Sequence, residues 1–262
     1  MHPKLSKAPV TYVLAQIKFS SIEDIANRIP ALQDKIRGDF PHYQQVNIQS
    51  IQLREGQQPA ATTLIQWHFL DKEKQTGIIL DKQTLTIQTS CYEQFQPLLN
   101  RFKAVASQFH EILKFSLFTR LGLRYINLIE DGLTKLDPGL QGFQLANNDF
   151  DKNQFLTKTE TTQRSQAGVL KVQATRFSDK KVIGDIQNIF VPLELADTAK
   201  LLSFNGREEP GRAFLLLDLD HFHVGQGDFD IEVIGSRFCE LQKMLYQGFC
   251  QAVGKENLTA WS

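Results

Sequence analysis

The chain has 262 residues, of which 42% are hydrophobic and 22% are charged, and its formal net charge is zero. This composition can bury a core, and it excludes a disordered, collagen-like or disulfide-stapled chain. The neutral balance argues against a nucleic-acid-binding surface, and no apolar run reaches the roughly 20 residues of a spanning helix.

The first predicted elements are a strand over residues 10–19 and a helix. Ser20 and Glu23 have the Ser-x-x-Glu spacing of a capping box, which predicts that the helix begins there. Pro30 lies inside the helix and predicts a kink or a restart. The apolar positions recur three and four residues apart, as expected of one buried helix face: Ile22, Ile25, Ile29, Leu32 and Ile36.

Alternating residues and short polar joins then predict an antiparallel meander. Its strands are expected near 46–54, 61–70, 76–80 and 84–91. A second amphipathic helix is predicted over 94–114. Its buried stripe again has a spacing of three and four residues.

The second half begins with a long predicted strand and changes character at Asp131. Residues 131–164 are rich in Asp, Asn, Gly and Pro, which predicts a loop with at most one short element. A third amphipathic helix is predicted over 228–254. Strands are predicted over 117–129, 167–177, 182–191 and 212–223.

These elements predict an α+β fold with antiparallel sheets and three long amphipathic helices. Residues 1–115 and 116–262 each combine a strand, further antiparallel strands and a closing helix. We therefore predict two similar sheet-plus-helix halves, packed as one unit, with a loop-rich insertion at 131–164 in the second.

The cysteines indicate the compartment. Cys91, Cys239 and Cys250 are far apart and form no Cys-x-x-Cys motif. Such usage is typical of a reducing compartment, and the N-terminus has no signal-like apolar segment. We expect a soluble, cytoplasmic protein that does not bind membranes.

Three short motifs carry a resemblance to a known family. They are Ala8-Pro9-Val10 with Gln16-Ile17-Lys18-Phe19, then Gly122-Leu123-Arg124-Tyr125-Ile126-Asn127, and finally Leu217-Asp218-Leu219-Asp220. Together they resemble a sporadically distributed family of uncharacterised bacterial proteins of similar length. The resemblance implies a bacterial accessory protein, and it brings no established activity and no catalytic residue.

One candidate site is a metal site at the end of the strand 212–223. His221 and His223 lie two residues apart, so both imidazoles project from one face of a strand. Asp228 is expected to add a carboxylate from a following loop. The alternative is a strand end that passes from the core into solvent, which needs no ligand.

Gly225 and Gly227 suggest a phosphate-binding loop before the last helix. Asp230 replaces the third glycine of the Gly-x-Gly-x-x-Gly motif, and acidic residues crowd the helix start. We therefore interpret the segment as a glycine-containing turn followed by an Asp N-cap.

A second candidate site is an anion-binding groove around Arg120 and Arg124. Four residues apart on one strand, they are separated by roughly 13 Å, which suits the lining of a groove. Arg176 joins them if its strand is adjacent. The alternative is cross-strand ion pairing, which is common on sheet surfaces.

These observations predict a non-catalytic binding or protein-interaction module without a cofactor. No Gly-x-Ser-x-Gly, P-loop or His-Glu-x-x-His motif occurs, and no catalytic residue is identified. A protein partner or a homodimer is expected, and nucleic acid is not. Two alternatives stay open: a hydrolase-like enzyme with a divalent metal at His221 and His223, and a sensor of a small anionic ligand.

Overall fold

A computed structural model describes residues 8–52, 60–130, 156–177 and 214–261. Its helices are α1 (Ile25–Ile36), α2 (Phe95–Leu113) and α3 (Ile231–Trp261). The strands are β1 (Val10–Phe19), β2 (His42–Gln52), β3 (Ala60–Leu70), β4 (Thr76–Leu80), β5 (Thr84–Thr89), β6 (Leu117–Glu130), β7 (Leu156–Arg164), β8 (Val169–Phe177) and β9 (Phe214–Asp228). The predicted α+β class with an antiparallel sheet and three long helices is confirmed.

All nine strands form one antiparallel sheet in the order β2-β3-β4-β5-β1-β6-β9-β8-β7. The first strand of each predicted half, β1 or β6, lies at the middle of the sheet, and these two strands pair with each other. On each side, the strands follow outward in reverse chain order. The predicted division into two similar halves stays a prediction, and the sheet runs across its boundary without a break.

One face of the sheet packs against the helices, and we call it the helix face. On β1 it carries Val13, Ala15, Ile17 and Phe19, all buried. Their spacing of two residues places them on one side of the strand. The opposite side, which we call the far face, carries Arg120 and Arg124 of β6, because they alternate with the buried Leu121 and Leu123.

The three helices form one layer on the helix face. α1 contacts α2, α2 contacts α3, and α3 packs on β6, β8 and β9. Phe102 and Phe238 join α2 to α3 with ring centroids 4.6 Å apart. Burial of these aromatic and aliphatic side chains is the main stabilisation expected for this layer.

The start of α1 corrects the predicted capping box. The helix begins at Ile25, and its N-cap Asp24 makes no side-chain capping bond. Glu23 instead accepts hydrogen bonds from Ser21 and Lys82, 2.7 and 2.5 Å away. β1 ends at Phe19, and residues 20–24 form a bend and a turn where the motif predicted the N-cap and the first helical turn. Pro30 lies inside a continuous helix.

Two predictions for the second half also need correction. Residues 156–164, assigned to the loop-rich insertion, form β7. β9 continues through Gly225 and Gly227 to Asp228, so no turn interrupts it there. The predicted Asp N-cap of the last helix is confirmed: it is Asp230, whose carboxylate accepts from the backbone N–H of Glu232 at 2.8 Å. The strand predicted over 182–191 lies outside the described residues.

The last helix is broken at Gly254 and then resumes. Gly254 has φ 74°, in the left-handed region that favours glycine. Beyond the break, Trp261 folds back and stacks on Phe249, with ring centroids 6.0 Å apart. The C-terminal indole therefore has a partner within its own chain. Among the described residues, no helix combines the length and apolarity needed to cross a membrane.

Candidate functional site

The far face at the middle of the sheet holds a buried ion pair. Arg124 donates from Nε to Asp218 Oδ1 at 2.8 Å and from Nη2 to Oδ2 at 2.5 Å. Planar two-point pairing of this kind is the strongest geometry open to arginine and carboxylate. The side chain of Asp218 is 8% exposed and that of Arg124 is 24% exposed. Arg124 is thus committed to a carboxylate of its own chain.

Arg120 is held by several weaker contacts beside this pair. It donates to Gln16 Oε1 at 2.6 Å, and its Nη2 lies 3.7 Å from Asp220 Oδ2. Its guanidinium also stacks over the ring of Phe222 at 4.5 Å. Gly122 makes room for it, since a Cβ there would lie 2.8 Å from Arg120 Nη1. The arrangement is the cross-strand ion pairing that was the alternative to an anion groove.

Burial and charge act against each other in this cluster. Burial raises the pKa of Asp220, although Arg120 and Arg124 both act to lower it. Burial also lowers the pKa of Arg120, and Asp220 partly restores it. At Arg124 burial acts to lower the pKa, but the hydrogen bonds and charge of Asp218, together with Asp220 and Tyr12, outweigh it, so the pKa is raised. Removing Asp218 would take away the two-point partner of Arg124 and leave it the weaker attraction of Asp220, and removing Arg124 would leave the Asp218 carboxylate buried without that partner.

A buried polar pair continues the far face onto β1 and β5. The Tyr12 hydroxyl donates to Gln88 Oε1, and both side chains are fully buried. Burial raises the pKa of Tyr12 well above its ordinary value, so the hydroxyl stays protonated and donates. Within the part of the chain that the structure describes, Gln88 Nε2 has no hydrogen-bond partner. If the amide is turned over, its oxygen is left without a donor instead.

Arg176 does not join Arg120 and Arg124. Its strand β8 pairs with β9, and β9 separates it from β6. Arg176 also lies three residues from Gln173, which pairs with the far-face residue Asp218, so it projects from the helix face. The strand order therefore removes Arg176 from the predicted groove.

The predicted metal site is only partly assembled. His221 and His223 do share the helix face of β9, as predicted from their spacing. Asp228 lies at the end of the same strand, beyond an irregularity in the register, and it pairs with Leu117 whereas His223 pairs with Leu121, four residues or about 13 Å along β6. It is not in a loop that returns to the histidines. Among the described residues, no three potential ligands cluster around them.

His221 uses both of its ring nitrogens inside the protein. Nδ1 donates to the carbonyl oxygen of Leu241 at 2.9 Å, and Nε2 lies 2.8 Å from Ser165 Oγ. The residue is fully buried, and burial lowers its pKa. The neutral ring therefore accepts from the serine hydroxyl. His221 links α3 to the turn between β7 and β8.

Sequence reasoning missed Ser165, whose contact with His221 has the connectivity of a nucleophile and its base. No spacing motif joins two residues so far apart in the chain. The Ser165 oxygen also accepts from the Gly168 N–H at 3.0 Å. Because His221 has no exposed surface, a leaving group has no route to Nε2. The contact therefore fixes the hairpin turn.

The end of the sheet at β2 has the opposite character. From His42 to Gln52 the strand contains no Asp, Glu, Lys, Arg or Pro. Its side chains from His42 to Ile48 are exposed except for Val46, which is half-buried. Tyr43 is 39% exposed and Ile48 is 38% exposed, and they project from opposite faces. As far as the described residues go, β2 therefore leaves both of its faces and its outer edge open.

Strand β3 extends the exposed apolar surface beside β2. Leu64, opposite Ile48, is 41% exposed, and Ile65, opposite Asn47, is 38% exposed. We call the described outer part of these strands, residues 42–48 and 63–66, the β2 edge. Proteins usually protect a long edge strand with charges, Pro or a bulge. β2 has neither charge nor Pro, and its register with β3 is unbroken.

The other end of the sheet carries such protection. Strand β7 contains Lys158, Glu160 and Arg164 within nine residues. Lys171 of β8 lies 3.9 Å from Glu160. Charges on an edge strand disfavour pairing with another chain, because pairing would desolvate them. The two ends of one sheet therefore differ in their capacity to accept a further strand.

Comparison with known proteins finds no match: no protein-family model, no curated protein and no solved structure is similar to this chain.

Proposed function

We propose that this protein is a non-catalytic protein-interaction module that binds its partner by adding a strand to β2. The observation that carries the proposal is the 11-residue edge strand β2, which has no charge and no Pro and whose described side chains project exposed from both faces. Strand addition takes affinity from main-chain hydrogen bonds and specificity from alternate side chains. β2 supplies both kinds of group.

The apolar residues beside the edge support the same proposal. Ile48 and Leu64 are opposite each other on the far face, and both are more than a third exposed. A strand laid along β2 would cover Ile48 and the half-buried Val46. Apolar burial of this kind provides about 25 cal/mol per Å² of surface removed from water. The hydrolase-like and anion-sensor alternatives stay predictions, and no contact described above favours them.

The test compares proteins captured from the native host by three tagged forms of the chain. The β2 variant carries Gln45→Lys and Asn47→Lys, two exposed positions that leave the core unchanged. The matched control carries Thr162→Lys and Gln163→Lys on β7, also exposed. We expect quantitative mass spectrometry to find a protein retained by the wild type and the β7 control and lost by the β2 variant.

Equal retention by all three forms would contradict the proposal, because lysines on the edge strand must interfere with strand addition there. Circular dichroism and urea unfolding of each form provide the folding control. Turnover of a substrate by the pure wild-type protein, abolished by one substitution, would also overturn the non-catalytic assignment.

A further inference from the structure

Resting on the proposed function, we infer that the partner of β2 is a second copy of this chain, paired antiparallel about a two-fold axis at Asn47. A two-fold axis perpendicular to the sheet is the operation that places two copies of one edge strand antiparallel and side by side. It joins the two nine-stranded sheets and keeps both helix layers on the same side.

Absence of charge makes β2 compatible with its own copy. Across a two-fold axis, a strand pairs with its own copy. A strand that carried several charges of one sign would therefore bring like charges close together. Such contacts are unfavourable, especially when they are desolvated. β2 contains no Asp, Glu, Lys or Arg, and the whole chain has a formal net charge of zero. Neither local nor overall repulsion opposes the pairing.

The apolar side chains select the register. Directly opposite residues of an antiparallel pair project from the same face of the sheet. The two-fold axis must therefore lie midway between the two copies of one residue. With the axis at Asn47, Val46 lies opposite the partner's Ile48, and Ile48 lies opposite the partner's Val46. Shifting the axis to Val46 or Gln45 places Ile48 opposite the partner's Gln44 or the partner's His42. Of these three registers, only the one centred on Asn47 places each apolar far-face residue of β2 between His42 and Ile48 opposite an apolar residue of the other copy.

Strand β3 widens the resulting contact. Leu64 lies beside Ile48 on the far face. Each apolar row in the dimer is therefore formed by Leu64 and Ile48 of one copy and the partner's Val46. Two such rows run antiparallel on either side of the axis. Cross-strand pairs of this type stabilise a sheet more than pairs of alanines do. The exposed apolar side chains on the far face of the β2 edge thereby gain neighbours across the dimer contact.

The first test is the molar mass in solution. At about 100 µM, a concentration at which a dimer of micromolar affinity is almost fully formed, we expect light scattering to give twice the chain mass. Ile48→Lys places two lysines in the contact, one from each copy. Because each lysine is expected to raise the dissociation constant about tenfold, the variant dimer should be about 100-fold weaker. Thr162→Lys on β7 should leave the dimer intact.

The second test fixes the register by cysteine crosslinking. In a background of Cys91→Ser, Cys239→Ser and Cys250→Ala, Asn47→Cys should form a disulfide-linked dimer under mild oxidation, since residues on the axis are about 5 Å apart at Cβ. Gln45→Cys and Thr162→Cys should not. In the Asn47 register, the two copies of residue 45 are four positions apart along the strands, about 13 Å.

A monomer at every concentration would overturn this inference, as would a dimer unaffected by Ile48→Lys or a Thr162→Cys crosslink equal to that of Asn47→Cys. A crosslink at Gln45→Cys without one at Asn47→Cys would overturn the register. Failure here is distinguishable from failure of the proposed function. A monomeric wild type that retains a host protein lost by the β2 variant refutes only the second-copy partner.

Discussion

The β6–β9 pair at the middle of the sheet and the β2–β3 pair at its end are both antiparallel, yet they place charge and apolar surface in opposite positions. At the middle, Arg124 and Asp218 are largely buried and bonded at two points. At the end, Ile48 and Leu64 are exposed. Charges are buried where the chain itself completes their bonding, and apolar side chains are exposed where no described part of the chain covers them.

The difference separates structural from interaction surface in this protein. Removing one partner of a buried charge pair costs much folding stability, because the other charge loses its partner away from water. An exposed apolar pair contributes little to the folded chain and gains stability only when another surface covers it. Substitutions in the two regions should therefore differ in what they change: folding at the middle, and association at the end.

The largest effect is expected from Asp218→Asn, which leaves Arg124 buried with its ionic partner removed. We expect the free energy of unfolding to fall by about 3 kcal/mol, measured from urea midpoints at constant slope. Asp220→Asn is the matched control. Burial already raises the pKa of Asp220, so a neutral side chain there should be at least as stable at pH 7. Equal losses for both variants would show that the two carboxylates are equivalent.

An intermediate effect is expected from pH, through the buried histidines. Burial lowers the pKa of His68 to about 4 and lowers that of His221. The unfolded chain, with an ordinary pKa of 6.5 at His68, binds protons first as the pH falls. Stability present above pH 6.5 is therefore lost as the pH falls toward about 4. His68 alone should account for about 2 kcal/mol between pH 7 and pH 5.

His68→Gln should reduce this pH dependence, measured by urea unfolding at pH 7 and pH 5. His42→Gln, which replaces an exposed histidine instead of a buried one, is the matched control. If His68→Gln loses as much stability on acidification as the wild type does, His68 is not the group responsible.

A smaller effect is expected from Gly122→Ala. The added Cβ would lie 2.8 Å from Arg120 Nη1, so the guanidinium must move away from Gln16 and Phe222. Loss of these contacts should reduce the free energy of unfolding by about 1 kcal/mol. Gly38→Ala is the control, since nothing lies within 4 Å of its added Cβ. Equal effects would mean that the space beside Arg120 is not required.

The smallest effect on folding is expected at the exposed end of the sheet. Leu64→Lys should change the free energy of unfolding by less than about 0.5 kcal/mol in dilute solution, as most exposed substitutions do. The same variant should weaken association measured by light scattering at high concentration. A loss of folding stability as large as that of Asp218→Asn would remove the distinction between the two regions.

Much of the fold could be predicted from apolar spacing. The stripes of α2 and the alternation of β3 and β6 indicated the right elements, because each follows from helical or strand periodicity. β7 was missed, since its sequence Leu-Thr-Lys-Thr-Glu-Thr-Thr-Gln-Arg has no apolar alternation and reads as a loop. Its strand conformation depends on pairing with β8, which local sequence does not encode.

The candidate sites show the same limit. The faces of His221 and Arg124 followed correctly from strand alternation, because that depends on neighbours in the chain. The residues that these side chains contact did not follow from the sequence. Asp218 meets Arg124 because β6 and β9 are adjacent, and Arg176 is excluded because β9 lies between and because it projects from the helix face. The exposure of Ile48 was equally unpredictable, since β2 alternates like a half-buried strand.

The strand order also limits when each strand can pair as the chain is synthesised. The first five strands can associate once β5 is made, since β1 pairs with β5. β6 then docks on β1, but its other edge must wait for β9, whose Asp228 pairs with Leu117. Non-local pairing of this kind is slow and leaves apolar strands open to aggregation. The growing chain thus presents β6 as a temporary edge in the middle of the future sheet, and chaperone dependence should be greatest while β6 waits.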